Sequence, residues 1–193
     1  MLKAELRKAI KARLAALSAE QLSACGRAAA RHLFCVPRWE EFRSVLVFFS
    51  ISGEIDTLPV IETILKTGKS LFAPRVEGEN LAFYRFGQNA ASVSKVQRGF
   101  ADGYREPAAD PAFALKEEDF PALVITPGLA FDRRLNRLGR GRGYYDRFFS
   151  VLHLSGRSYT AMGLCMDCQL VDTVPVEPED KTMDILLTEN GFV

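Results

Sequence analysis

The residues best suited to chemistry lie in Asn136-Arg137-Leu138-Gly139-Arg140-Gly141-Arg142-Gly143-Tyr144-Tyr145-Asp146. Glycines at alternate positions let the backbone approach a ligand with no Cβ in the way. Their N–H groups, together with a helix N-terminus, can point at an anion. Arg137, Arg140 and Arg142 add planar cationic donors of the kind that match phosphate. The pattern suggests a phosphate cradle; the competing reading is a mobile basic surface loop. It is not a standard nucleotide fingerprint, because the third glycine comes too early for the dinucleotide pattern. Gly68-Lys69-Ser70 has Thr63 where a P-loop needs glycine, and it precedes a predicted strand.

Around this stretch stand several carboxylates with two readings each. Asp146 is placed to hold a metal that accompanies a polyphosphate, or to be a first-turn acid favoured by the helix dipole. Asp180, in the Pro-rich loop 175–181, is equally ambiguous, and Asp184 lies close enough to compete with it. Two carboxylates completed by water and phosphate oxygens suit Mg²⁺ better than a dedicated protein cage does. Glu54 and Asp56 follow a strand end and can either bond a polar ligand edge or cap the next helix. Cys165-Met166-Asp167-Cys168 lacks the second ligand pair of a zinc site and the strand-to-helix setting of a redox motif. It reads as incidental.

The elements that must position these groups follow from periodicity. Leu2, Leu6, Ile10, Leu14 and Leu17 recur at helical spacing, with Lys3, Arg7 and Lys11 on another face. Ser18 and Gln21 form a capping box that opens a second helix through Leu33. Strands are predicted over 44–49, 70–74, 81–86, 122–126, 159–164 and 184–187. Helices are predicted from Thr57 to about Thr67 and over 143–154. Residues 87–118 are poorly periodic and read as loop-rich. The expected fold is α/β: a single-domain mixed sheet over 1–193, flanked by helices, with an N-terminal helical arm.

Composition sets outer limits. A chain of 193 residues with 48% hydrophobic and 25% charged residues is long enough for a real core and is not disordered. Its 25 Lys+Arg against 24 Asp+Glu leave a net charge of +1, which argues against a chain-wide grip on nucleic acid or anionic membrane. A nucleic-acid module built on the arginines of 133–147 is the rival drawn from the same stretch. The run from Val45 to Phe49 is far short of a membrane span, and Lys3, Glu5, Arg7 and Lys8 sit where a signal peptide would be apolar. A cytoplasmic monomer with no membrane partner is expected.

With these pieces in place the sequence resembles the 5-formyltetrahydrofolate cyclo-ligases over nearly its whole length. The likeness rests on Lys3-x-x-Leu6-Arg7, Glu54-Ile55-Asp56-Thr57, Pro74-Arg75, Glu106-Pro107 and 127–132, and above all on 136–146, with distal Gln169 and Asp180. The resemblance implies an ATP-dependent closure of 5-formyltetrahydrofolate to 5,10-methenyltetrahydrofolate with Mg²⁺ as cofactor. It implies ATP contacts at Lys3, Arg7, Arg137, Leu138, Gly139, Arg140, Gly141, Arg142, Gly143, Tyr144 and Tyr145. It implies folate contacts at Arg7, Phe49, Glu54 and 140–144, metal positions at Asp146 and Asp180, and catalytic roles for Arg140 and Tyr144. Arg142 fills a slot where the family often has Gly or Lys. A folate-binding protein without catalysis is the remaining alternative.

Overall fold

The computed structural model describes residues 2–86, 106–107 and 109–193. Its centre is a seven-stranded mixed sheet. In chain order the strands are β1 (Ser44–Leu46), β2 (Ser70–Glu77), β3 (Asn80–Arg85), β4 (Ala122–Thr126), β7 (Tyr159–Leu164), β8 (Ile185–Thr188) and β9 (Gly191–Phe192). Their spatial order is β3-β2-β1-β4-β7-β8-β9. The five inner strands run parallel, while β3 and β9 are antiparallel edges. A separate two-stranded ribbon joins β5 (Ala130–Phe131) to β6 (Arg137–Leu138).

Strands covered on both faces need apolar side chains at successive positions, and these have them. Val45, Leu71, Leu123, Ile125 and Met162 point to one face and join a core with Leu6, Ile10, Leu14, Ala29, Val60 and Ile64. Leu46, Phe72, Val124, Ala161 and Leu186 point to the other and meet Phe148, Phe149 and Leu152. The first face is covered by α1 (Lys3–Ala15), α2 (Ala19–His32) and α3 (Leu58–Leu65), the second by α4 (Tyr144–Leu154). The expected helical arm is therefore docked on the sheet through successive turns of its apolar face, at Leu6, Ile10 and Leu14. Leu2, ahead of the helix, stays 70% exposed.

Several expectations are refined. Ser18 and Gln21 do form the reciprocal cap of α2. At α3 the capping oxygen belongs to Asp56, whose Oδ1 accepts from the Leu58 N–H at 3.0 Å. The Thr57 hydroxyl instead accepts from the Ser50 N–H and pairs with the Ser50 hydroxyl. The loop-rich stretch 87–118 lies outside the described residues at 87–105 and 108; its remainder carries two short 3₁₀ turns, Pro111–Phe113 and Glu117–Asp119. Among the described residues no helix is long and apolar enough to cross a membrane.

The strand order reverses at β1: the chain builds outward through β2 and β3, then returns to place β4 on the other side. Open parallel sheets bind ligands beyond the carboxyl ends of their strands at such a switch. The two segments that leave β1 and β4 there are 47–57 and 127–143.

One close approach fixes the first of them. The Asp56 N–H donates to the Leu22 carbonyl at 3.3 Å, so α2 lies directly on the backbone ahead of α3. A Cβ on Gly26 would stand 2.0 Å from the Asp56 carbonyl oxygen. Gly26→Ala is expected to destabilise the fold by about 3 kcal/mol, the upper end of ordinary overpacking. A urea titration checks this, and a loss under about 1 kcal/mol would show that α2 can slide without cost.

Candidate active site

A cavity of about 550 Å³ opens at the switch point. Its wall takes Lys3 and Arg7 from α1, Glu54 from the loop after β1, residues 137–147 from β6 to the first turn of α4, and Asp180 from the distal loop. The structure thus brings together every residue expected from sequence at this site except Phe49. Phe49 lies in an adjoining cavity of about 580 Å³, against the Phe86 ring at 4.9 Å, and Glu54 lines both.

The glycine stretch does what alternating glycines allow. Gly141 and Gly143 have φ of +103° and +65°, values a side chain strains to adopt. Gly143 is the N-cap of α4, so the backbone enters the helix from a left-handed turn and leaves the first-turn N–H groups at the cavity wall. Arg7 reaches across from α1 and donates through Nε to the Gly139 carbonyl at 3.0 Å, joining the N-terminal helix to the loop.

Three cations in this wall rest on carboxylates. Lys3 Nζ donates to Asp180 Oδ2 at 2.5 Å and to Glu177 at 2.8 Å. Arg137 donates to Asp146 Oδ1 at 2.8 Å, and Arg140 donates from Nε to Glu54 Oε1 at 3.0 Å, with Nη2 2.9 Å from the same oxygen. Burial of Lys3 lowers its pKa, but the hydrogen bonds and charges of Asp180 and Glu177 outweigh this and raise it overall. For Glu54, burial dominates and lifts the carboxyl above its ordinary range, against the opposing charge of Arg140 and the Ile51 N–H. Arg137 is almost fully buried, and its Nε has no hydrogen-bond partner among the described residues. Arg147 lies over the Tyr144 ring at 5.3 Å and donates to the Glu79 carbonyl. The arginines of 133–147 therefore do not form one free basic surface. Arg142 is exposed and makes no hydrogen bond or ion pair among the described residues.

Tyr145 differs from its neighbour. It turns into the core beside Phe83 and Phe149, so what it gives the cavity is a wall. Leu138 is likewise buried and serves as a strand residue of β6.

The donor set fits a hard divalent cation held partly by phosphate. Oδ2 of Asp146 and Oδ1 of Asp180 have no partner among the described residues, and Asp146 Oδ1 also accepts from the Lys181 N–H at 3.3 Å. Asp146 thus bonds the backbone beside Asp180, and both residues line the cavity. Among the described residues no three His, Cys, Asp or Glu come together as a metal cage. Asp184 is not in the cavity; it is exposed, and its Oδ2 accepts from the Ala161 N–H at 2.6 Å. Cys165 is buried at the end of β7, and burial pushes its thiol pKa up, away from reactivity.

Two supporting residues carry no sequence signal of their own role. Gln169 donates to the Gly128 and Leu129 carbonyls and accepts from the Met166 N–H, tying the turn after β7 to the segment after β4. Asp132, fully buried, accepts from Arg134 N, Asn136 N, Asn136 Nδ2 and Val174 N. It closes the β5–β6 hairpin and fastens it to the chain that leads to Asp180.

Comparison with known proteins places these residues in a family setting. The model of the 5-formyltetrahydrofolate cyclo-ligase family matches residues 1–189. An Escherichia coli K12 protein named 5-formyltetrahydrofolate cyclo-ligase is 32% identical over 182 residues, covering 93% of this chain and 96% of that one. A mouse protein of the same name is 29% identical, covering 96% and 93%. The NMR structure of Aquifex aeolicus 5,10-methenyltetrahydrofolate synthetase superposes with a TM-score of 0.72 at 28% identity, covering 100% of this chain and 92% of that one.

Asp132 generates a prediction about pH. Burial raises its pKa, but the four hydrogen bonds more than offset that and hold it below the ordinary value. An amide at this position would turn a donor toward donors, so Asp132→Asn should cost about 3 kcal/mol at neutral pH. A depressed folded pKa gives stability that is present above the unfolded value of about 4. It is lost as pH falls through the lower folded value. Chemical denaturation from pH 7 to pH 2 should show the gap between wild type and variant closing only in the acid range; a pH-independent gap would refute the electrostatic account.

Proposed function

The chain belongs to the 5-formyltetrahydrofolate cyclo-ligase family, and from that premise we propose that the cavity at the switch point is where ATP and 5-formyltetrahydrofolate meet. The reaction is the ATP-dependent closure of 5-formyltetrahydrofolate to 5,10-methenyltetrahydrofolate with release of ADP and phosphate, a step of folate one-carbon metabolism. The observation that carries the assignment is the convergence of Lys3 and Arg7, from one end of the chain, with the 137–145 loop around a single cavity.

A formamide carbonyl is a poor electrophile and its oxygen a poor leaving group. Transfer of the γ-phosphoryl group to the formyl oxygen breaks the bond to ADP and makes that oxygen part of a phosphate ester. The folate N10 then attacks the formyl carbon and gives up its proton, the carbon–oxygen bond breaks, and phosphate departs with the former formyl oxygen and that proton. Little covalent work falls to the protein, so its task is positioning and charge neutralisation.

Lys3, Arg7, Arg137 and the backbone of 138–145 hold the polyphosphate. Arg140 stands between the phosphate loop and Glu54. From there it neutralises charge on the oxygens shared by the γ-phosphoryl and formyl groups. Tyr144, its ring fixed by Arg147, orients the formyl group from the start of α4. Glu54 accepts the N–H edge of the pterin, and Phe49, in the adjoining cavity, supplies an apolar wall. Asp146 and Asp180 are the residues that would hold Mg²⁺. When bound, the ion would neutralise and orient phosphate oxygens. The same reading includes one domain acting as a cytoplasmic monomer, with no nucleic-acid partner; the balanced charge supports the last point.

The growth of methenyltetrahydrofolate absorbance tests the reaction. Arg140→Ala should lower kcat by about 100-fold, the usual effect of removing one preorganised donor to developing charge. Asp146→Asn should raise the magnesium concentration for half-maximal rate by at least about 10-fold, the cost of disturbing even an outer-shell partner. An unchanged magnesium dependence in folded Asp146→Asn protein removes that residue from the metal site.

A further inference from the structure

Among the described residues Glu54 is the one carboxylate that lines both cavities. Its position is fixed by a tight turn: the Glu54 N–H donates to the Ile51 carbonyl at 3.0 Å, and the Ile51 N–H donates back to Oε2 at 3.1 Å. Its side chain is 9% exposed, whereas that of Arg140 is 38% exposed, so Arg140 is the partner able to leave. Oε1 accepts from Arg140 Nε at 3.0 Å, and Arg140 Nη2 stands 2.9 Å from the same oxygen. The guanidinium therefore covers Oε1, while Oε2, which accepts from the Ile51 N–H, keeps about one lone-pair site to spare. A ligand with two adjacent N–H donors needs a site on each oxygen. It cannot take Glu54 in that manner without moving the Arg140 guanidinium off Oε1.

We propose that the Arg140–Glu54 ion pair is a latch between the two cavities. With it closed, Arg140 is turned to Glu54 and partly withheld from phosphate. A donor edge arriving at Glu54 opens the latch and frees the guanidinium for the γ-phosphate. The two substrates then bind with positive coupling, and by linkage each raises the other's affinity by the same factor. The latch also withholds a phosphoryl-stabilising cation until the acceptor substrate is seated. The inference rests on the ATP and folate reading of the site and deepens it by naming what makes the two ligands interdependent.

Calorimetric titration of a non-hydrolysable ATP analogue, with Mg²⁺ and without folate, separates the latch from simpler roles. Glu54→Gln keeps the shape but removes the charge that holds Arg140. It should tighten the analogue by about 5-fold or more, while weakening 5-formyltetrahydrofolate, because the amide presents a donor to the ligand's donors. In an Arg140→Gln background the same substitution should give no tightening. Glu54→Asp, one methylene short of Arg140, should also tighten the analogue and serves if the amide variant melts abnormally. Unchanged or weaker analogue binding in the Glu54 variants overturns the latch, as does a gain that persists without Arg140. Wild-type protein that binds neither ligand contradicts the assignment of the site itself, and the latch with it.

Discussion

Six cationic side chains, Lys3, Arg7, Arg137, Arg140, Arg142 and Arg147, stand in one cavity wall, and like charges gathered there repel when water is partly excluded. The fold meets that constraint by giving three of them a carboxylate: Lys3 rests on Asp180, Arg137 on Asp146 and Arg140 on Glu54. Arg7 is instead absorbed by the Gly139 carbonyl. A polyphosphate brings its own negative charge and can take over from these partners. The carboxylates released by Lys3 and Arg137 are the two proposed for magnesium. Cations and acids in the wall are thus arranged to exchange partners, which explains why a site for an anionic ligand holds so many acids.

Topology determines which segments can take part. Reversal of strand order at β1 leaves the ends of β1 and β4 open on one side, and the Glu54 turn and the glycine loop leave from those ends. The N-terminal helix reaches the same place because Leu6, Ile10 and Leu14 dock it on the sheet, with Lys3 and Arg7 directed to the cavity. Asp132 and Gln169 hold the turns between, through hydrogen bonds to backbone groups up to 42 residues away. Their contribution is to fix loops that have few apolar contacts of their own.

Much of this was legible in the sequence, for identifiable reasons. Strands β4 and β7 fall at the expected residues because apolar runs buried on both faces start and stop sharply. Strand β1 is shorter than its apolar run, since beyond Val47 the chain leaves the sheet to form the Glu54 turn. Strand β2 runs on to Glu77 because the antiparallel partner β3 extends it, which no local pattern encodes. The β5–β6 ribbon has two residues per strand, too few for any period to show. The glycine–arginine stretch stands out in the sequence as a candidate anion site because its residue types are unusual together. The pairing of Lys3 with Asp180 does not, since it spans 177 positions and depends on the complete fold. The same holds for the choice between Asp180 and Asp184: similar residues in sequence, they separate only when β7 draws Asp184 to the Ala161 N–H.

The central claim is that one polyphosphate is gripped jointly by the N-terminal helix and the 137–145 loop. A crystal structure with a non-hydrolysable ATP analogue and Mg²⁺ tests it most directly. The account predicts phosphate oxygens between Lys3, Arg7 and the loop N–H groups, with Lys3 no longer on Asp180 and the γ-phosphate facing Arg140. A triphosphate bound elsewhere, or held by the loop while Lys3 and Arg7 keep their present partners, would contradict it.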